Sequence, residues 1–236
     1  MWYPLQAWWD DDAGNRALLA GNTQQAIAWF NAGLRIEPNW GLLHEDRGRA
    51  LMDRDPKEAL AEFERAACGL ACVAEEGDAL AAMGRMDEAI DRYIEAKAVG
   101  RTAEVAMRLA GEGNYDAALA IEAALIKRLH NNFIDRADLA AAYATTGTIQ
   151  VSAALAAADP ALARTRGRFA IDAFSKASNL APLNEDYLLS YGFAQLRFGN
   201  QQQARAAFER LLRIHPDQPD AQAELRRMQG DPKDAP

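Results

Sequence analysis

One spacing constrains this chain more than any other: an Ala followed four residues later by an aromatic ring. It occurs at Ala26 and Phe30, Ala59 and Phe63, Ala89 and Tyr93, Ala170 and Phe174, and Ala204 and Phe208. A glycine precedes most of these pairs, at Gly14, Gly48, Gly77 and Gly192, and Pro38, Pro182 and Pro216 follow three of them. A weaker copy, VAMRLAGEGNYDAALAIEAALI, carries Gly113, Tyr115, Ala118 and Leu125. A step of four places both residues on one helical face. A repeat of about 30 residues holds two short helices, which cannot bury their apolar faces alone. Stacked copies make one continuous core, so the pattern predicts an array.

Composition agrees. The chain has 236 residues, half of them hydrophobic and a quarter charged. Ala, Leu, Glu and Arg dominate to the eye, which favours helix, and no segment alternates with period two. The formal net charge is −8 and the pI about 5.0. A nucleic-acid binder shows a basic face, so no nucleic-acid partner is expected. No apolar run reaches the length of a membrane span. The N-terminal MWYPLQAWWDDD lacks the basic start and apolar core of a signal peptide. Cytoplasm is therefore the default compartment. A periplasmic or membrane-associated protein whose signal or anchor had been removed is the alternative.

The spacing resembles that of the tetratricopeptide repeat (TPR) family. In residues 185–216 the matching positions are Leu188, Tyr191, Gly192, Ala204, Phe208, Leu211 and Pro216. The resemblance implies an all-α, right-handed α-solenoid of antiparallel helix pairs, five to six repeats in one domain over 1–236. The repeats fall at about 7–40, 41–69, 70–101, 102–132, 133–183 and 185–218. A polar-faced helix at about 219–229 caps the array, and GDPKDAP forms a frayed tail. Gly84 or Gly199 is expected to close a first helix.

The marker alanines at 26, 59, 89, 118, 170 and 204 are separated by 33, 30, 29, 52 and 34 residues. The gap of 52 makes the 133–183 repeat elongated or irregular, with the excess in 133–169. Two arrangements fit. One is a long hairpin turning at Asp159–Pro160, a good opening for a turn and a helix. The other is an extra helix over 148–158, which Gly147 and its neighbouring threonines favour. As a lip for a partner or as neutral length variation, either arrangement serves.

The family's groove is lined by first helices. In the last copy that spacing selects Asp186, Leu189, Phe193, Leu196 and Arg197. It selects Trp8, Asp11, Asn15, Leu18 and Leu19 in the first copy, and Ala103, Met107 and Ala110 in the fourth. Leu189, Phe193 and Leu196 form an apolar surface with Arg197 at its edge, suited to an extended or helical peptide. The competing arrangement folds the 219–229 helix over them. Asn15 matches one position of the family's carboxylate clamp, but Asp11 stands where a Lys belongs, so that clamp is not expected. All five tryptophans lie in the first 40 residues. Trp2, Tyr3, Trp8 and Trp9 either pack on the first repeat or offer a second partner surface.

No catalytic residue, metal site or cofactor is expected. Cys68 and Cys72 are no disulfide framework and read as two small apolar residues in a helix seam. His44, His130 and His215 lie far apart. Asp10, Asp11 and Asp12 read as acidic residues in a helix's first turn. Phosphate loops and hydrolase signatures are absent from the sequence. The expected function is a non-catalytic interaction scaffold that binds a protein or peptide in its groove during assembly of a bacterial multiprotein complex. The alternatives are a self-associating structural protein, a homo-oligomer, and a regulatory subunit of an enzyme or of envelope or secretion machinery.

Overall fold

The structure, a computed structural model, describes residues 3–131 and 136–229. Trp2, the segment 132–135 that opens the elongated region, and the tail from residue 230 lie outside the described residues, as do the side chains of Tyr3 and Pro4. The described residues form thirteen helices and no strand. The chain is all-α, as the pattern predicts, and its helices run in consecutive antiparallel pairs. The helices gather into two compact units, Met1–Arg101 and Thr102–Pro236.

In the first unit α1 (Tyr3–Leu19) pairs with α2 (Thr23–Ile36), α3 (Gly41–Leu51) with α4 (Pro56–Ala66), and α5 (Leu70–Ala82) with α6 (Met86–Glu95). Successive pairs stack, α2 on α3 and α4 on α5. α7 (Gly100–Gly111) starts at the boundary. The second unit continues with α8 (Tyr115–Asn131), α9 (Arg136–Ala156), α10 (Pro160–Leu180), α11 (Glu185–Phe198), α12 (Gln201–Ile214) and α13 (Pro219–Gln229). There α8 packs on α9, α9 on α10, α10 on α11, α11 on α12, and α12 on α13.

The pairs are held by a ring seated on a glycine. Phe30 lies against Gly14, Phe63 against Gly48, Tyr93 against Gly77, Phe174 against Gly147 and Phe208 against Gly192. A Cβ on any of these glycines would meet ring carbon under 3.0 Å away. Only a residue without a side chain lets the two helices approach this closely. Phe30, Phe63, Tyr93 and Phe208 are fully buried, each contributing roughly 1.5–3 kcal/mol of apolar transfer.

The α7–α8 pair departs from this rule. Its residue four after Ala118 is Glu122, and its residue twelve before Ala118 is Ala106, where the last copy has Gly192 before Ala204. Both Ala106 and Glu122 are fully buried. Ala106 packs with Ala118 of α8 in one apolar cluster, and the position that holds a ring in the other pairs holds a carboxyl here. Among the described residues neither Glu122 oxygen has a hydrogen-bond partner. Burial alone pushes this carboxyl from 4.5 up to about 8, so at neutral pH it is protonated.

Of the two arrangements for the elongated region, the structure has the long hairpin. α9 and α10 are 21 residues each and turn at Asp159–Pro160. Asp159 accepts a hydrogen bond from the Ala161 N–H, with Pro160 in the first helical turn. The threonines flanking Gly147 do not break α9. Thr146 and Thr148 donate to the carbonyls of Ala142 and Ala144 one turn back.

Three local expectations are corrected. Cys68 and Cys72 do not share a helix: α5 starts at Leu70, Gly69 turns the chain at φ +70, and the two cysteines form a disulfide. Asp10 to Asp12 are not in a first turn, because α1 begins at Tyr3. Gly84 ends its helix in the left-handed region at φ +75, but Gly199 has φ −121 and does not use that freedom.

A buried ionic cluster fastens α3 to α4. The Glu62 carboxylate, fully buried, faces His44 Nδ1 at 2.7 Å and Arg47 at 2.9 Å, and pairs with Arg65. The other His44 nitrogen faces the Pro38 carbonyl at 2.8 Å. Burial pushes the Glu62 carboxyl up, and hydrogen bonds from His44 and Arg47 more than reverse it, holding it below its ordinary range.

Candidate functional site: an apolar cleft between α9 and α11

The stacking of α9, α10 and α11 leaves a cleft of about 230 Å³ in the second unit. Thr148 and Val151 of α9 form one wall, Phe193 and Arg197 of α11 the other, with Phe174 and Phe198 among its apolar lining. The walls belong to the first helices of adjacent pairs, and Phe174 to the intervening second helix. Phe193 is held by its neighbour: its ring meets that of buried Phe208 edge-on, centroids 5.5 Å apart. One edge of Phe193 therefore packs into the core while its other surface, 39% exposed, faces solvent.

Arg197 stands at the rim, its guanidinium 5.8 Å from the centre of the Phe198 ring. That cation–π contact orients the charge without neutralising it. Among the described residues no carboxylate pairs with Arg197. Leu196, 37% exposed, lies beside it on the same helix. Tyr191 accepts a hydrogen bond from Gln195, which also donates to Gln203 and so braces α11 against α12.

The other expected residues separate into groups. Leu189 is half-buried in the cluster of Leu188, Phe208 and Leu211, with Leu225 and Met228 of α13 in the same cluster. Leu189 is thus drawn toward this cluster, while Phe193 and Leu196 stay partly open at 39% and 37% exposure. Asp186 is exposed in the first turn of α11. Met107 is 41% exposed on α7 and does not line the cleft.

In the first unit Asn15 donates to Asp46 at 2.8 Å, and Leu18 packs on the core of Ala26, Phe30 and Leu43. Asp11 is buried. Burial first, and Asp46 second, push its carboxyl to about 7. Trp8 and Trp9 are about half exposed and meet edge-on, centroids 5.7 Å apart. These residues do not converge on the cleft.

A wider hollow of about 390 Å³ lies at the start of α8. Its charged groups are already engaged, Arg166 with Asp116 and with Gln150. Val151 and Thr148 were not among the residues that the groove spacing selects. Their signal is the i, i+3 step on the outer turns of the elongated α9, beyond the ordinary repeat.

No protein-family model matches the chain, and no curated protein matches it. Solved structures do align. A MamA RS-1 double mutant is 18% identical over 90% of this chain and 96% of its own, with a TM-score of 0.43. A TPR repeats protein from Bacteroides fragilis is 16% identical over 80% of this chain and 98% of its own, with a TM-score of 0.43. The TPR2AB domain of yeast Sti1, solved as a complex with pHSP90, is 14% identical over 94% of this chain and 96% of its own, with a TM-score of 0.37. These likenesses show a fold only; within this chain five helix pairs seat a ring on a glycine, four of them with the ring 15 or 16 residues after the glycine and the elongated pair with 27. The chain is tetratricopeptide-like. No helix among the described residues of this repeat protein is long and apolar enough to cross a membrane.

Proposed function

We propose that this repeat protein is a non-catalytic interaction module that holds a segment of a partner protein against α9 and α11. The observation that carries the reading is the cleft itself: an apolar hollow with Arg197 at its rim, paired with no carboxylate among the described residues. Its volume supports one kind of ligand. Small-molecule pockets run to about 300–1,000 Å³, and this cleft is smaller, at about 230 Å³. It fits one bulky apolar side chain of a longer segment. Arg197 selects a carboxylate next to that anchor. The predicted ligand is an extended or helical peptide with a Leu or Phe anchor and a nearby Asp, Glu or C-terminus. Such a module suits the assembly of a multiprotein complex.

The test is peptide binding with Phe193→Asp and Arg197→Glu variants. Both side chains are exposed, so the fold tolerates the changes better than it would a charge at Leu189. Loss of binding in each variant supports the cleft. Full retention in both removes it.

A second reading has its own observation. Trp8 and Trp9 expose about half of their surface at the end of the first unit, which favours a protein contact there, self-association included. Light scattering on wild type and a Trp8→Ser, Trp9→Ser variant separates the two: a strictly monomeric protein at high concentration excludes self-association.

A further inference from the structure

We propose that Cys68, Cys72 and Glu45 form a redox-gated site for one thiophilic divalent cation of the Zn²⁺ class. The two sulfurs and a Glu45 carboxylate oxygen all lie within 4.8 Å of one another. They come from separate parts of the first unit. Glu45 projects from α3, Cys72 from the first turn of α5, and Cys68 from the connection before it, where Gly69 at φ +70 reverses the chain over the helix start. Arg49 of α3 pairs with Glu75 of α5 at 2.6 Å and with Glu45 itself, so the frame around the ligands is braced.

The donor set decides the metal. Two thiolates and one carboxylate suit Zn²⁺, whose bonds run about 2.3 Å to sulfur and about 2.0–2.2 Å to carboxylate oxygen. Magnesium and calcium want oxygen only. Two thiolates and Glu45 bring three negative charges, and the one cation beside them, Arg49, is shared with Glu75 and Asp46, so the site favours a divalent ion. Negative charge at Cys72 is further favoured by the amide dipoles of the first turn of α5. Three protein ligands leave the fourth tetrahedral position open to water or to a side chain of a bound protein.

The disulfide is the gate. Oxidised, the pair has no thiolate to give and binds no metal. A phosphine or dithiol reductant supplies two electrons, and with two protons the S–S bond becomes two thiols. Metal binding then forms two S–metal bonds and releases both protons. Cys72 is almost fully buried and Cys68 only partly so. Cys68, on the loop, is the ligand free to move as the sulfurs separate around the ion.

The test is Co²⁺ titration of the untagged full chain, followed by the thiolate-to-cobalt charge-transfer band and back-titrated with Zn²⁺. The phosphine-reduced protein takes one equivalent of Co²⁺ and yields it to Zn²⁺, whereas the disulfide form shows no band. Cys68→Ser, on the partly exposed loop and therefore tolerated by the fold, abolishes the band. Glu45→Gln weakens Co²⁺ binding by at least about tenfold with the circular dichroism spectrum unchanged. A reduced protein without the band, a band that persists in Cys68→Ser, or Glu45→Gln binding as wild type would each overturn the site.

Discussion

The edge-on contact between Phe193 and Phe208, centroids 5.5 Å apart, joins the cleft to the core through two rings with opposite duties. Phe208 is fully buried against Gly192. Phe208→Ala should cost about 3–5 kcal/mol. Phe193→Ser should cost far less and remove peptide binding. Thermal melts of the two variants check the division, and equal losses would contradict it.

The α7–α8 pair offers a test of the packing rule itself. Glu122→Phe alone sets a ring against Ala106, and Ala106→Gly alone leaves a gap. Together they restore the pairing that Gly192 and Phe208 make. The double variant should exceed the sum of the singles by about 1–3 kcal/mol, read from urea midpoints of all four proteins. Strict additivity would show that the two positions do not meet.

Glu122 also sets a pH dependence. Its folded carboxyl titrates at about 8 against an ordinary 4.5. The folded state therefore keeps a proton that the unfolded state loses, and stability falls as pH rises between those values. The ceiling of the loss is about 5 kcal/mol, from 1.36 kcal/mol per unit. Far-UV circular dichroism melts from pH 5 to 8.5 should show a falling midpoint for wild type and a flatter line for Glu122→Gln. Parallel lines would mean that the carboxyl reaches water or a partner.

Glu62 behaves in the opposite sense, because it is buried with its partners. Glu62→Ala strips His44 and Arg47 of their shared acceptor and should cost about 3–5 kcal/mol. The five tryptophans all lie in the first 40 residues, so tryptophan fluorescence reports unfolding of the first unit, where this change acts. An unshifted fluorescence midpoint would contradict the cluster.

What local spacing can report is visible in these same residues. The Ala-to-aromatic step marks the second helices because a ring can meet the neighbouring helix only where a glycine faces it. Asp159–Pro160 marks a helix start because the cap and the ring each act on the first turn alone. The disulfide escapes that reading: a left-handed Gly69 moves Cys68 off the helix, a change of two residues in one boundary. Glu122 was legible, four residues after Ala118, as the one marker pair without a ring. The fate of Leu189 was not, since it packs on a cluster shared by α11, α12 and α13 that no local pattern encodes. The Asp11–Asp46 pairing is hidden for the same reason.

The central claim is that the α9–α11 cleft binds an apolar anchor beside a carboxylate. The most direct measurement is random-peptide display panned on the wild-type protein and counter-panned on Phe193→Asp, Arg197→Glu. The predicted result is a set of peptides sharing a Leu or Phe next to an acidic residue and lost from the variant. Peptides that bind both proteins equally, or none with an acidic neighbour, would contradict it.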